Sequence, residues 1–222
     1  MSRAIAVLRP EPGNRVTAAA IEARGRVAIR LPLFEVAPVA WEAPDAQDFD
    51  ALILTSANAL RHGGAELAAL RALPVYAVGS ATADAARRGG FEVALVGAEG
   101  AERLLADVAA AGVRHALHLA GRERTIAAGG PVAAVVTVYA SAPRTPPDIA
   151  RLAGKIALVQ SARSGCWLGE LIDQNGIDRN GIALVAVSAA AATAAGPGWQ
   201  RVVTPSAMTS EALIEAAIAL AD

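Results

Sequence analysis

Hydroxyl and guanidinium groups recur at set places in this chain. The stretch DALILTSANAL, residues 50 to 60, is apolar from Ala51 to Leu54, then turns to Thr55 and Ser56, with Asn58 and Arg61 just beyond. IALVQSARSG, residues 156 to 165, repeats the switch and ends in Ser161, Ala162, Arg163 and Ser164. The same change follows other apolar runs at Gly79-Ser80-Ala81-Thr82, Gly97-Ala98, Ser188-Ala189 and Thr204-Pro205-Ser206. Arg9, Arg61, Arg122, Arg124 and Arg163 sit at or near these points. Any one such serine or threonine is explained as a helix cap, accepting from the first free N–H groups. As a set they say more, because several helix N-termini facing one crevice present N–H donors and positive dipole ends to it. Arginine adds a planar donor fork for carboxylate or phosphate. The chemistry this suits is recognition of a ligand with many negative groups.

Groups for proton transfer are scarce by comparison. No G-x-G-x-x-G follows a strand, no Walker A sequence is present, and no G-x-S-x-G elbow surrounds a serine. No His/Asp/Glu set has metal-ligand spacing. His115 and His118 flank Ala116-Leu117 on an expected strand, point to opposite faces, and read as structural. His62 reads as solvated, and Glu42, Asp48 and Asp50 lie in a surface stretch. Cys166, the one cysteine, has no histidine near it in sequence and reads as a buried structural thiol. A binding crevice of this kind fits a binding protein, or an enzyme whose substrate supplies most of the reactivity.

The elements that must position these groups form two copies of one plan. Ser161 follows Ser56 by 105 positions, Ser188 follows Gly79 by 109, and Trp199 follows Phe91 by 108. IAVLRPEPGN (5–14) loosely resembles ALHLAGRERT (116–125). Apolar runs at 4–8, 27–31, 51–54, 74–78, 92–96, 115–119, 132–139, 156–160, 183–187 and 201–203 alternate with helical patterns at 14–24, 57–71, 80–89, 100–111, 162–174, 188–195 and 207–221. Continuous apolar strands separated by helices predict α/β architecture, with parallel sheets doubly wound and covered on both faces. Two proline-studded segments, RLPLFEVAP (30–38) and VVTVYASAPRTPP (135–147), fall outside the alternation and read as extended connectors. The expected first domain is 1–32 plus 143–222 and the second is 39–134. Residues 33–38 and 135–142 then join them.

Composition narrows the function classes. Of 222 residues, 54% are hydrophobic, enough for a core, yet only 4% are aromatic, so small side chains must pack the helices closely. A net charge of −1 argues against a general nucleic-acid or membrane-surface binder. One cysteine allows no internal disulfide and no cysteine zinc cluster, which fits a reducing cytosol. The N-terminal apolar stretch is too short for a signal peptide, and no apolar run reaches membrane-spanning length.

Eight blocks together resemble the uroporphyrinogen-III synthase family across nearly the whole chain. They are LRP (8–10), LPLFEV (31–36), LILTSANAL (52–60), VYAVGSATADAARRGGF (75–91), EGAERLL (99–105), VTVYAS (136–141), LVQSARSG (158–165) and AVSAAAATAA (186–195). The resemblance implies two flavodoxin-like domains joined by a two-stranded extended connector. It implies a cytoplasmic, monomeric lyase of haem, sirohaem and cobalamin biosynthesis, without cofactor or metal. The substrate would be hydroxymethylbilane, a linear tetrapyrrole with eight carboxylates, and the product uroporphyrinogen III. The reaction inverts the terminal ring through a spiro intermediate and loses water. Hydroxymethylbilane synthase would be a transient partner, and nucleic acid and membrane would not be partners. Tyr139 corresponds to the family's connector tyrosine, placed to assist the departing hydroxyl; a hinge-packing aromatic is the other reading. Thr82, Ser56 and Ser161 correspond to family hydroxyls. The expected substrate-binding set is Arg9, Thr55, Ser56, Asn58, Gly79, Ser80, Ala81, Thr82, Arg122, Ser161, Ala162, Arg163, Ser164, Ser188 and Ala189.

Two departures stand out. Only TIAAGGP (125–131) remains where the family has a full helix, so one sheet face should lack a cover. The AVSAAAATAA block leaves Ser188 and Thr193 as its only hydroxyls. The competing readings are a non-catalytic bilobal binder of a carboxylated ligand, and a degenerate synthase domain.

Overall fold

The structure is a computed structural model that describes residues 2–97 and 100–221. Ala98 of the strand-end pair Gly97-Ala98, and Glu99 at the head of the 99–105 block, lie outside the described residues. In chain order the elements are β1 (Ile5–Val7), α1 (Gly13–Glu22), β2 (Ala28–Arg30), β3 (Phe34–Pro38), β4 (Ala51–Leu54), α2 (Asn58–His62), β5 (Val75–Val78), α3 (Ser80–Arg88) and β6 (Val93–Gly97). They continue with α4 (Ala101–Ala110), β7 (Ala116–Gly121), β8 (Val132–Pro143), β9 (Ile156–Val159), α5 (Ala162–Gln174), β10 (Ala183–Ala186), α6 (Ala189–Ala194), β11 (Arg201–Val203) and α7 (Ser210–Ala221). Contacts divide the chain into two compact units, Met1–Glu35 with Ala142–Asp222, and Val36–Ser141. No described helix is long and apolar enough to cross a membrane.

The first unit holds a parallel sheet in the order β11-β10-β9-β1-β2. Counted within the unit, that is 2-1-3-4-5, the flavodoxin order. The strands written as unbroken apolar runs, β1, β9 and β10, are buried throughout and lie in the middle. A strand covered on both faces has no solvent side and so no polar alternation. Alternate residues go to opposite faces: Ile5, Val7, Ile156 and Leu158 pack with Ile21 of α1 and Leu213 of α7, while Ala6, Ala157 and Val159 pack with Leu168 of α5 and Ala191 of α6. Edge strand β11 leaves Arg201 and Val202 exposed.

The second sheet runs β3-β8-β7-β4-β5-β6. Strands β6, β5, β4, β7 and β8 occupy the spatial order of β11, β10, β9, β1 and β2. The second unit is therefore a cyclic permutation of the first, and the sequence repeats have the same correspondence. Placing one unit in the chain between β2 and β9 of the other starts the two copies at different strands. Leu52, Leu54, Val75 and Ala77 face Ala83 and Ala86 of α3, and Ala51, Ile53 and Tyr76 face Leu104 and Val108 of α4.

Local departures from the sequence reading have physical causes. The helix expected over 57–71 stops at His62 and continues as a 3-10 helix, Gly64–Leu70, because Gly64 takes φ +67°. The extended segment 30–38 contains a strand, β3. The last helix begins at Ser210 instead of 207, with the Thr209 hydroxyl accepting from the Ala212 N–H (3.2 Å), so Thr204-Pro205-Ser206 does not cap it. Cys166 is exposed, not buried: the face of α5 that packs inward carries Ser164, Gly165, Leu168, Gly169, Leu171 and Ile172. The Glu170 carboxylate beside its thiol pushes the thiol pKa up, against a reactive thiolate. Between β7 and β8 no helix forms among the described residues, and Ile126, buried against the face that α4 covers, fills part of the gap.

Candidate functional site

In each unit the sequence-derived residues fall at the carboxyl ends of parallel strands, where open α/β sheets bind ligands. The first unit brings together Arg9 beyond β1, Ser161 to Ser164 beyond β9, and Ser188-Ala189 beyond β10. Ser161 and Ser164 form a reciprocal capping box at α5, each hydroxyl accepting the other's backbone N–H at 3.1 Å. Ser188 caps α6 by accepting from the Ala191 N–H (3.3 Å). These hydroxyls are engaged in capping, which leaves the exposed first residues Ala162 and Ala189 at the helix mouths. Arg163 stacks its guanidinium over Phe34 at 4.6 Å.

Arg9 differs from the structural arginines around it. Arg179 bonds both oxygens of Asp173 (2.8 Å each), donates to the carbonyls of Gly169, Ala195 and Pro197, and lies over Trp199. The Arg9 guanidinium makes, among the described residues, one long hydrogen bond, to Thr17 Oγ1 at 3.5 Å. It lies against the start of α1, where a Cβ on Gly13 would stand 2.5 Å from its Nε. Burial holds its pKa below the ordinary value. A desolvated cation beside a helix N-terminus is repelled by the dipole and favoured by an arriving anion. Asn14, fully buried, pins the turn by donating to the carbonyls of Val7 (2.8 Å) and Arg9 (2.9 Å) and accepting from Arg30 (3.0 Å), which also pairs with Glu11.

In the second unit Thr55 and Ser56 follow β4, Gly79 to Thr82 follow β5, Arg122 follows β7, and Tyr139 lies on β8 level with the end of β7. Ser56 Oγ accepts from the Asn58 N–H (3.2 Å), and Asn58 Oδ1 accepts from Arg61 (3.0 Å). Gly79, not Ser80, is the N-cap of α3; its φ of +75° is open to glycine without strain, and no side chain caps that helix. Ser80 and Ala81 are exposed and Thr82 is buried, so first-turn N–H groups face open space. Tyr139 crosses the end of β7 over Gly121, where a Cβ would be 2.7 Å from its ring. Its hydroxyl has no hydrogen bond among the described residues, and its ring lies 6.2 Å from that of His62. His62 is half-buried, not solvated as expected, and burial, then Arg61, lowers its pKa.

Sequence reasoning did not mention Gly121, and it read His62 as solvated and His118 as structural, placing none of the three at the site. Gly121 carries no signal except a glycine closing a strand. His118 carries one, a polar residue inside the apolar run ALHLAG. It is 1% exposed, its Nε2 lies 3.3 Å from Thr55 Oγ1, and its Nδ1 has no partner among the described residues. Burial, then the charge of Arg124, lowers its pKa to about 4, so the ring is neutral at physiological pH.

Solved structures resemble this chain in fold, and a family model matches it in sequence. The structure of uroporphyrinogen-III synthetase from Helicobacter pylori superposes with a TM-score of 0.64 at 17% identity, covering 99% of this chain and 100% of that one. A mutant uroporphyrinogen III synthase from the extremely thermophilic bacterium Thermus thermophilus gives 0.53 at 18% identity, covering 99% of each chain. At such identities the likeness establishes the shared fold. No curated protein matches the chain. The family model described as uroporphyrinogen-III synthase HemD matches residues 15–215. With that match spanning nearly its full length, the chain belongs to the uroporphyrinogen-III synthase family.

Proposed function

We propose that this chain is a working uroporphyrinogen-III synthase, which closes hydroxymethylbilane with inversion of its terminal ring. The observation that carries the reading is the Tyr139 hydroxyl, without a hydrogen bond among the described residues, held over Gly121 at the end of β7 in the sheet whose strand β5 leads into the uncapped N-terminus of α3. Tyr139 donates a proton as the substrate's C–O bond breaks, and the hydroxyl leaves as water. The azafulvene cation forms on the ring that carried the hydroxymethyl group, and the bridge-bearing carbon of the ring at the other end of the chain, the one to be inverted, attacks its methylene to give the spiro intermediate. Fragmentation and re-closure yield the III isomer, and the proton released from the closing ring carbon restores Tyr139. The substrate is intrinsically reactive, so the protein contributes mainly by holding it in one geometry. Within the second unit, carboxylates are met by the main-chain N–H groups of Ser80, Ala81 and Thr82, with Arg122 as counter-charge; the first unit offers the N–H groups of Ala162 and Ala189, with Arg9 and Arg163 as counter-charges.

The test is the product isomer. Fresh hydroxymethylbilane is supplied, the products are oxidised, and uroporphyrins I and III are separated by chromatography. Predominant III is expected; only I, at the uncatalysed rate from folded protein, would reject the reading and favour a non-catalytic binder. Arg9 offers a second check. Arg9→Leu should weaken binding of uroporphyrin III, the stable oxidised product, by about 10-fold or more, the scale of a lost charged hydrogen bond. Because the variant removes a desolvated charge with no carboxylate partner, its melting temperature should not fall. Unchanged affinity in a fluorescence titration would exclude Arg9 from the site.

A further inference from the structure

We propose that His118 is a positioning residue whose Nε2–H donates to Thr55 Oγ1 and thereby leaves the Thr55 hydroxyl as a donor to a ligand carboxylate at the strand ends. The proposal deepens the reading of these ends as the ligand site and rests on it.

The duplicated plan shows that histidine is not demanded by the fold here. Ala116↔Ala51 and His118↔Ile53 pair in the second sheet as Ile5↔Ile156 and Val7↔Leu158 pair in the first, so Val7 is the counterpart of His118. Valine fills that position with no polar group to satisfy. His118 instead buries an imidazole with one ring nitrogen unpartnered, a costly arrangement. Its single polar contact among the described residues is Thr55, just beyond the end of the neighbouring strand β4, and Thr55 Oγ1 likewise has no other among them.

A neutral imidazole carries one N–H, so the contact runs in one of two directions. With the proton on Nδ1, a buried N–H would be orphaned and Nε2 would accept from the Thr55 hydroxyl. With it on Nε2, the orphan is a bare lone pair. Orphaned buried N–H groups are the rarer case. The Nε2–H form follows. Thr55 Oγ1 then accepts from the ring, and its own hydrogen must point elsewhere. Thr55 is half-buried at the carboxyl end of β4, next to Ser56, so the open direction is the strand end.

Two measurements on the full chain test this. Long-range proton–nitrogen NMR of the nitrogen-15-labelled protein, with His118 assigned by its absence in His118→Gln, should show the Nε2–H tautomer; the Nδ1–H tautomer would overturn the proposal. Titration with uroporphyrin III should show Thr55→Val and His118→Leu each weakening binding by about 5- to 20-fold. The double variant should be no weaker than either single one, as for residues acting as one unit. His118→Gln, whose amide nitrogen reaches the Nε2 position, should bind within about 2-fold of the parent, on the same hydrogen-bond scale. Additive losses, or Gln as damaging as Leu in variants that still melt cooperatively, would overturn the role, as would a parent chain that does not bind uroporphyrin III. A chain that makes no isomer III yet shows the tautomer and the coupled binding loses the synthase reading and keeps this one. Isomer III formed together with additive losses keeps the synthase reading and overturns the role of His118.

Discussion

A Tyr139→Phe variant is expected to form uroporphyrinogen III roughly 100-fold more slowly than the parent while binding uroporphyrin III within about 3-fold. The two effects separate because of where the hydroxyl lies. The phenyl ring would keep its seat over Gly121 and its neighbour His62, so packing and stability should hold. The hydroxyl has no hydrogen bond to the described protein, and its removal orphans no internal group. What disappears is a donor to the departing hydroxyl, needed as charge develops and of little use to the bound product. Single-turnover rates set beside equilibrium titrations provide the comparison. Equal losses in rate and affinity would show that Tyr139 only binds or packs.

Gly165→Ala should lower stability by about 2–3 kcal/mol, the scale of an overpacked core. The sign is the informative part. At an ordinary helical position, alanine in place of glycine stabilises by about 1 kcal/mol. Gly165 lies inside α5 where a Cβ would stand 2.5 Å from the Ala191 carbonyl oxygen and 3.1 Å from the Ala195 nitrogen. Both are backbone atoms of α6 and its C-cap, so relief requires the two helices to part. Their close approach covers one face of the first sheet through Leu168 and Ala191. Thermal melting should show a drop of several degrees, with roughly 2–4 °C per kcal/mol expected for a chain of this length. A variant as stable as the parent would mean the helices are not held at this distance.

Much of the architecture was legible in the residues. The runs at 51–54, 156–160 and 183–187 read as strands covered on both faces, because each lacks any polar alternation. The repeat offsets near 105 to 109 carried the correspondence of strands. The apolar-to-hydroxyl switches marked the carboxyl ends, and the structure puts the named residues there. The short TIAAGGP segment announced a missing helix. Boundaries were less legible: glycine at 63 and 64 broke a helix that the apolar spacing alone would have continued, and Thr209 took a cap assigned to an earlier hydroxyl.

The roles of the groups at those ends were not in the sequence. Ser161 and Thr55 occupy similar places in similar stretches, yet one is held in a capping box and the other faces a histidine 63 positions away. Arg9 and Arg179 are the same residue type, one nearly unpartnered and one saturated. Gly121 and Tyr139 mean little until register sets them side by side. Periodicity and turn chemistry act between neighbours in the chain, and so the amino-acid order determines strands, helices, faces and ends. Hydrogen-bond partners, desolvation and steric room arise between segments far apart in the chain, and only the packed sheets decide which hydroxyl, guanidinium or N–H group is left open to a ligand.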